Sequence, residues 1–283
     1  MTAWRLALAL LAAGVLGCGG DDAGRPASPG LEQEVPAPPA PPASSPAPVA
    51  AAAPPASVSD RTSAGATPPE RRRYVVAAIG DSLTDPRSHG GKYLDVLRER
   101  CPDSRFESYG VGGNMVNMMR RRFLRDVFGE GTDGGARGAA AVGASAERPA
   151  WTHVIVLGGL GDVLSNVTAG RTAGAVQRDI AWMVTETRAR GARAFVLTLP
   201  PWSGFRDYDG ARAVMARDVN AWIAAEAREG RIDGTLDTRS VLSCGDPERL
   251  CDGMAFPDRL HWSEAGQHAV GEALHRALFA DCR

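Results

Sequence analysis

Three side chains, far apart in the chain, have the types and local spacing that proton-assisted acyl chemistry needs. Ser82 lies in Gly80-Asp81-Ser82-Leu83-Thr84, just after a short apolar run, and His261 follows Asp258 by three residues in Asp258-Arg259-Leu260-His261. A serine hydroxyl is a weak nucleophile until a base takes its proton. An imidazole serves best when a carboxylate fixes its tautomer and stabilises the imidazolium. A carboxylate three residues ahead can reach the ring from within one turn. Each piece alone has a plainer reading: the pentapeptide suits an ordinary Asp/Ser-capped turn, and Asp-x-x-His suits a surface turn. His89, His153, His268 and His275 lack such a companion and read as structural or solvent-exposed.

For Ser82 and His261 to meet, the elements before them must bring their ends together. From Tyr74 onward short apolar runs alternate with amphipathic stretches, which predicts a parallel sheet covered by helices on both faces. The strands expected are Tyr74 to Ile79, Phe106 to Tyr109, His153 to Leu157, Ala194 to Leu199 and, more weakly, Ile232 to Leu236. Helical faces are marked by Tyr93, Val96 and Leu97; by Met115, Met118, Met119 and Phe123; by Val176, Ile180, Met183 and Val184 up to Gly191; by Met215, Val219, Trp222 and Ile223 up to Gly230; and by Val270, Leu274 and Leu278, with Ser263 able to cap the last. Ligands of open parallel sheets bind beyond the carboxyl ends of the strands, and Ser82 follows the first of them. Turning toward a helix, that segment would put the hydroxyl near helix-terminal amides. The Gly- and Ala-rich stretch from about Phe128 to Ala150 reads as a mobile surface insertion rather than a lid. Pro200 to Asp209, with Trp202, Phe205 and Tyr208, is the candidate for one pocket wall, although its aromatics suit a core equally.

The rest of the 283 residues points to export. Arg5 precedes an unbroken apolar run from Leu6 to Leu16, long enough for the core of a signal peptide and too short to span a bilayer. Val15-Leu16-Gly17-Cys18 resembles the lipobox of bacterial lipoproteins, apart from Leu16, which is bulkier than usual at its position. The alternative is plain secretion, with Cys18 an incidental thiol. Thirteen of the 20 prolines lie between Pro26 and Pro69. That stretch has too few large apolar groups to offset the entropy of ordering it, so it reads as a tether. The organisation expected is a signal peptide at 1–17, a lipidated cysteine and tether at 18–71, and one domain at 72–283. Cys101, Cys244, Cys251 and Cys282 allow three pairings. The short spacing of Cys244 and Cys251 favours a local closure, leaving Cys101 for Cys282, with buried free thiols as the alternative. A net charge of -1 without a basic block gives no reason to expect nucleic acid.

Four blocks, in order, are similar to those of the GDSL/SGNH hydrolases: GDSLT at Gly80 to Thr84, YGVGGN at Tyr109 to Asn114, VIVLGGLGD ending at Asp162, and DRLH at Asp258 to His261. The resemblance spans about residues 74 to 280. It implies a flavodoxin-like three-layer α/β/α sandwich with about five parallel strands, and an esterase with Ser82 as nucleophile, His261 as base then acid, and Asp258 as its orienting partner. The amides of Ser82 and Gly113 are the implied oxyanion donors. The third block departs from the family, because Gly161 stands where an asparagine amide is the usual third donor. Asn114, Asn117 or Asn166 could stand in, two backbone donors could suffice, or catalysis could be lost. Asp162 is expected to brace its turn.

No cofactor is implied. Met115 stands where a dinucleotide-binding loop needs its third glycine, and no group of residues has metal-ligand spacing. Arg120, Arg121 and Arg122 could attract an anionic substrate, but a solvated helix face is the expectation. The function expected is cleavage of an acyl or acetyl ester at the cell envelope by an exported monomer whose membrane contact is its lipid anchor. A carbohydrate- or envelope-binding lipoprotein on the same scaffold and an O-acyltransferase are the alternatives.

Overall fold

A computed structural model describes residues 71–130 and 150–282. The signal peptide, Cys18, the tether and most of the expected insertion lie outside the described residues. Five strands, β1 (Val75–Gly80), β2 (Arg105–Gly110), β3 (His153–Leu157), β4 (Arg193–Leu197) and β5 (Gly234–Leu236), form one parallel sheet in the order β2-β1-β3-β4-β5. Between them run α1 (Tyr93–Arg100), α2 (Val116–Phe123), α3 (Leu160–Leu164), α4 (Ala173–Ala189), α5 (Gly210–Arg228), α6 (Thr238–Leu242) and α7 (Glu264–Leu278). The chain passes from β1 outward to β2, then back across β1 to β3. This reversal leaves the ends of β1, β2 and β3 side by side, the usual place for a ligand in such sheets.

Both faces of the sheet are covered, which is why the inner strands β1, β3 and β4 read as apolar runs rather than alternating ones. Successive side chains point to opposite faces. Ala77, Ile79, Val154, Val156, Ala194 and Val196 therefore join the core with α2, α4 and α5, whereas Val76, Ala78, Ile155, Leu157, Phe195 and Leu197 join the one with α1 and α7. This is the three-layer sandwich expected.

The remaining differences are local. The fourth strand stops at Leu197 rather than Leu199, where the hydroxyl of Thr198 turns to Asp237 and Thr238. The fifth begins at Gly234, because the amide of Ile232 still bonds to Glu226 at the end of α5. Helices α3 and α6 are too short to show a period and were not anticipated. Met115 precedes α2 instead of opening it, and one turn of π-helix, Leu124–Phe128, extends that helix into the expected insertion, held by Trp151 Nε1 donating to the carbonyl of Val127. Cys101 pairs with Cys282 and Cys244 with Cys251, as the spacing favoured. The first ties the end of α1 to the C-terminal residues. The second closes the loop that leads into the segment containing Asp258 and His261.

Candidate active site

Ser82 sits on a single tight turn rather than at the start of a long helix. The amides of Thr84 and Asp85 donate to the carbonyl of Asp81, and the amide of Leu83 donates to its carboxylate. A 3₁₀ turn, Pro86–Ser88, follows, and α1 starts only at Tyr93, so the amides near Ser82 belong to this turn and not to α1 as expected. Within the described residues the amide of Ser82 itself makes no hydrogen bond.

His261 and Asp258 lie on a compact loop. Ala255 and Trp262 form an antiparallel bridge, the amide of Phe256 donates to the carbonyl of His261, and Trp262 is buried with its ring 6.4 Å from that of Tyr93. Between the two functional positions Arg259 takes a φ of 59°, a left-handed conformation that few residues other than glycine adopt. Its Cβ packs on Gly204, where any added Cβ would lie only 2.9 Å away. Asp258 is thereby turned back on its own loop, accepting from the amides of Leu260 and His261 at 3.0 Å each. Its other oxygen is 2.6 Å from Nδ1 of His261, and Nε2 of that ring is 2.9 Å from the hydroxyl of Ser82. Burial acts to raise the Asp258 carboxyl, but the hydrogen bond from His261 and those two amides outweigh it and hold it below the usual carboxylate range. An ionised Asp258 directs the imidazole proton to Nδ1 and leaves Nε2 free to accept from Ser82.

The glycine block after β2 is pinned from three sides. Asp85 accepts from the amide of Gly112 at 2.8 Å, and Asp162 accepts from the amide of Val116 at 2.7 Å. The buried Arg122 donates to Asn114 Oδ1, to the carbonyl of Tyr109 and to that of Gly80. Gly113, between these anchors, has a φ of 74° and open space where a side chain would begin, and its amide makes no hydrogen bond within the described residues. Gly161, on α3, has no side chain to offer. A Cβ there would stand 2.9 Å from the carbonyl oxygen of Asn114.

Asp162 braces its turn, as expected. It is fully buried, and besides Val116 it binds Arg171 at 2.5 Å; Arg171 also holds Asp179, which pairs with Arg120. The arginine run is a solvated face at two of its three positions. Arg120 is exposed, paired with Asp179 and lying over Trp182, and Arg121 is exposed too, so both answer to that expectation and the buried Arg122 does not. The segment Pro200 to Asp209, expected as one pocket wall or as core, packs partly as core. Trp202 is buried against Tyr208, Tyr208 binds Glu248, and Gly204 lies against Arg259 in the loop that carries His261. His153 is structural, enclosed by Tyr74, Phe195 and Phe279, with burial and then Arg193 pulling its ring down to about 4.

Asp85, Arg122 and Arg171 take part in building this site and were not singled out as doing so. The helical period did hold a sign for Arg122, which lies three residues after Met119 on a face otherwise made of Val116, Met119 and Phe123. Nothing in the local pattern marks Asp85 or Arg171.

Comparison with known proteins bears on the family and the fold. A family profile described as GDSL-like Lipase/Acylhydrolase matches residues 78–269. Among solved structures, a protein from Desulfitobacterium hafniense DCB-2 named for the G-D-S-L lipolytic family superposes with a TM-score of 0.56 at 22% identity, over 73% of this chain and 100% of that one. A catalytic mutant of an acetylxylan esterase from Geobacillus stearothermophilus does so with a TM-score of 0.55 at 17% identity, over 74% of this chain and 96% of that one. A GDSL-like lipase from Bacteroides thetaiotaomicron gives a TM-score of 0.53 at 16% identity, over 72% and 86%. At these identities the likeness is one of fold. No curated protein sequence matches the chain.

Proposed function

The chain belongs to the GDSL-like lipase/acylhydrolase family, and from that premise we propose that it is a serine esterase acting at the cell envelope. The observation that carries the proposal is the continuous line from Ser82 Oγ through both ring nitrogens of His261 to Asp258, at 2.9 and 2.6 Å. His261 Nε2 takes the proton as Ser82 Oγ bonds to the ester carbonyl carbon, whose π electrons move to oxygen. The amides of Ser82 and Gly113, without a partner among the described residues, are suited to meet that oxyanion. Collapse expels the alcohol, which takes the proton from His261, and water then enters by the same steps to release the acid. No step calls for a cofactor.

An acetylated polysaccharide is the first substrate class to test, since one fold neighbour acts on acetylated xylan. On this reading the domain of residues 72–283 is exported under residues 1–17 and held by a lipid on Cys18 through the tether of residues 18–71. The two disulfides support an oxidising compartment. Hydrolysis of nitrophenyl acetate and longer nitrophenyl esters by the chain beside its Ser82→Ala variant is the test, and equal rates would refute the proposal. Release from the membrane fraction on Cys18→Ser is expected, and retention would refute the anchor.

The glycine at 161 favours a second reading, a binding protein on a decayed site. Saturable binding of acetylated polysaccharide without turnover would support it, and acetyl transfer to added sugar would point instead to an O-acyltransferase.

A further inference from the structure

The gap left by Gly161 has a neighbour well placed to fill it. Asn114 follows Gly113 directly, and its backbone carbonyl occupies the space where a side chain at 161 would begin, 2.9 Å from the position of that Cβ. Its side chain is oriented by Arg122. A guanidinium has only donors, so the atom that Arg122 Nε meets at 2.8 Å must be the amide oxygen, and the NH2 group must face the other way. That NH2 makes no hydrogen bond within the described residues, and it is not among the buried unpartnered atoms there, which are Asn117 Oδ1 and Trp262 Nε1. Although Asn114 as a whole is buried, this NH2 is therefore not sealed from solvent and is free to donate to a ligand.

The same guanidinium gives the location. Arg122 also donates to the carbonyl of Gly80 at 2.9 Å and to that of Tyr109 at 2.7 Å, so one planar group links Asn114 to the ends of β1 and β2, two residues from Ser82. Asn166 is tied elsewhere, since its oxygen accepts from the amide of Val167 and from Arg212 on α5.

On the esterase reading above, we infer that Asn114 supplies the third oxyanion donor, with Arg122 as its positioning residue. The carboxamide usual in the third block is moved to the second, and glycine at 161 is what lets the second block approach closely enough. Along with the amides of Ser82 and Gly113, Asn114 Nδ2 donates to the substrate oxygen as its charge develops.

Asn114→Asp separates this role from a structural one, because the carboxylate keeps an acceptor for Arg122 and loses the NH2. A fall in kcat of about 10² to 10³ on nitrophenyl acetate, with KM and Tm near the wild-type values, is expected. Asn114→Ala should fall equally in kcat, while Asn117→Ala and Asn166→Ala should keep most of the rate. Wild-type hydrolysis that Asn114→Asp retains overturns the inference alone. A wild-type rate no higher than that of Ser82→Ala overturns the esterase reading and this inference with it.

Discussion

Asp81 stands next to the proposed nucleophile with its carboxylate buried. Loss of solvent pushes its carboxyl from the ordinary 3.8 to about 6, against the amide of Leu83 and the charge of His261, which favour the anion. Between pH 4 and 6 the folded chain therefore holds a proton that the unfolded chain has released. Stability falls as pH rises through that window and is level above it. Each tenfold change in proton affinity corresponds to about 1.4 kcal/mol, so the full cost of keeping Asp81 ionised is about 3 kcal/mol. Asp81→Asn has nothing to titrate, and its amide oxygen can still accept from Leu83. Part of the cost is already present at pH 4. The stability of the variant relative to wild type is thus expected to rise by about 2.5 kcal/mol between pH 4 and pH 7.5. Urea unfolding at a series of pH values measures it, and the titrations of the other carboxylates cancel in the difference. A difference that stays constant across the range would refute the reasoning, for it would mean that Asp81 is as well solvated in the fold as in the unfolded chain.

Further outcomes test the rest of the site. Asp258→Asn is expected to lower kcat by about 10⁴, as loss of the tautomer-fixing carboxylate does in serine proteases, and a loss under tenfold would remove Asp258 from that role. Gly161→Asn, which would restore the asparagine usual in the family, should lower turnover rather than raise it, since its Cβ meets the backbone of Asn114; steady-state kinetics decide the sign. Arg171→Met leaves Asp162 buried without its cation, and a loss of about 3–5 kcal/mol in urea unfolding is expected. Cys101→Ser with Cys282→Ser, opening a closure of 181 residues, should cost about 5 kcal/mol, against about 2.5 kcal/mol for the separation of seven between Cys244 and Cys251.

Much of this protein is written in short stretches of its sequence. Strand β3 reads as a run of apolar residues because it is buried on both sides, and α4 and α5 show their buried faces at helical spacing because each covers one side of the sheet. Ser82, Asp258 and His261 each sit in a local pattern, a turn directly after a strand and an acid three residues before a base, and became recognisable because four such blocks follow in one order. Local pattern does not record which groups a fold brings together over long separations. The burial of Arg122 beneath the glycine block depends on the crossing from β2 back to β3, which brings Gly80, Tyr109 and Asn114 around a single guanidinium. Likewise, Gly161 reads in the sequence as a missing donor, and only the packing of the third block on the second gives its lack of a side chain a use. Secondary structure and the identity of the proton-transfer residues show in neighbours within one turn or one strand, whereas the meeting of Ser82 with His261 and the electrostatic lining of the site depend on chain closure, which no short window contains.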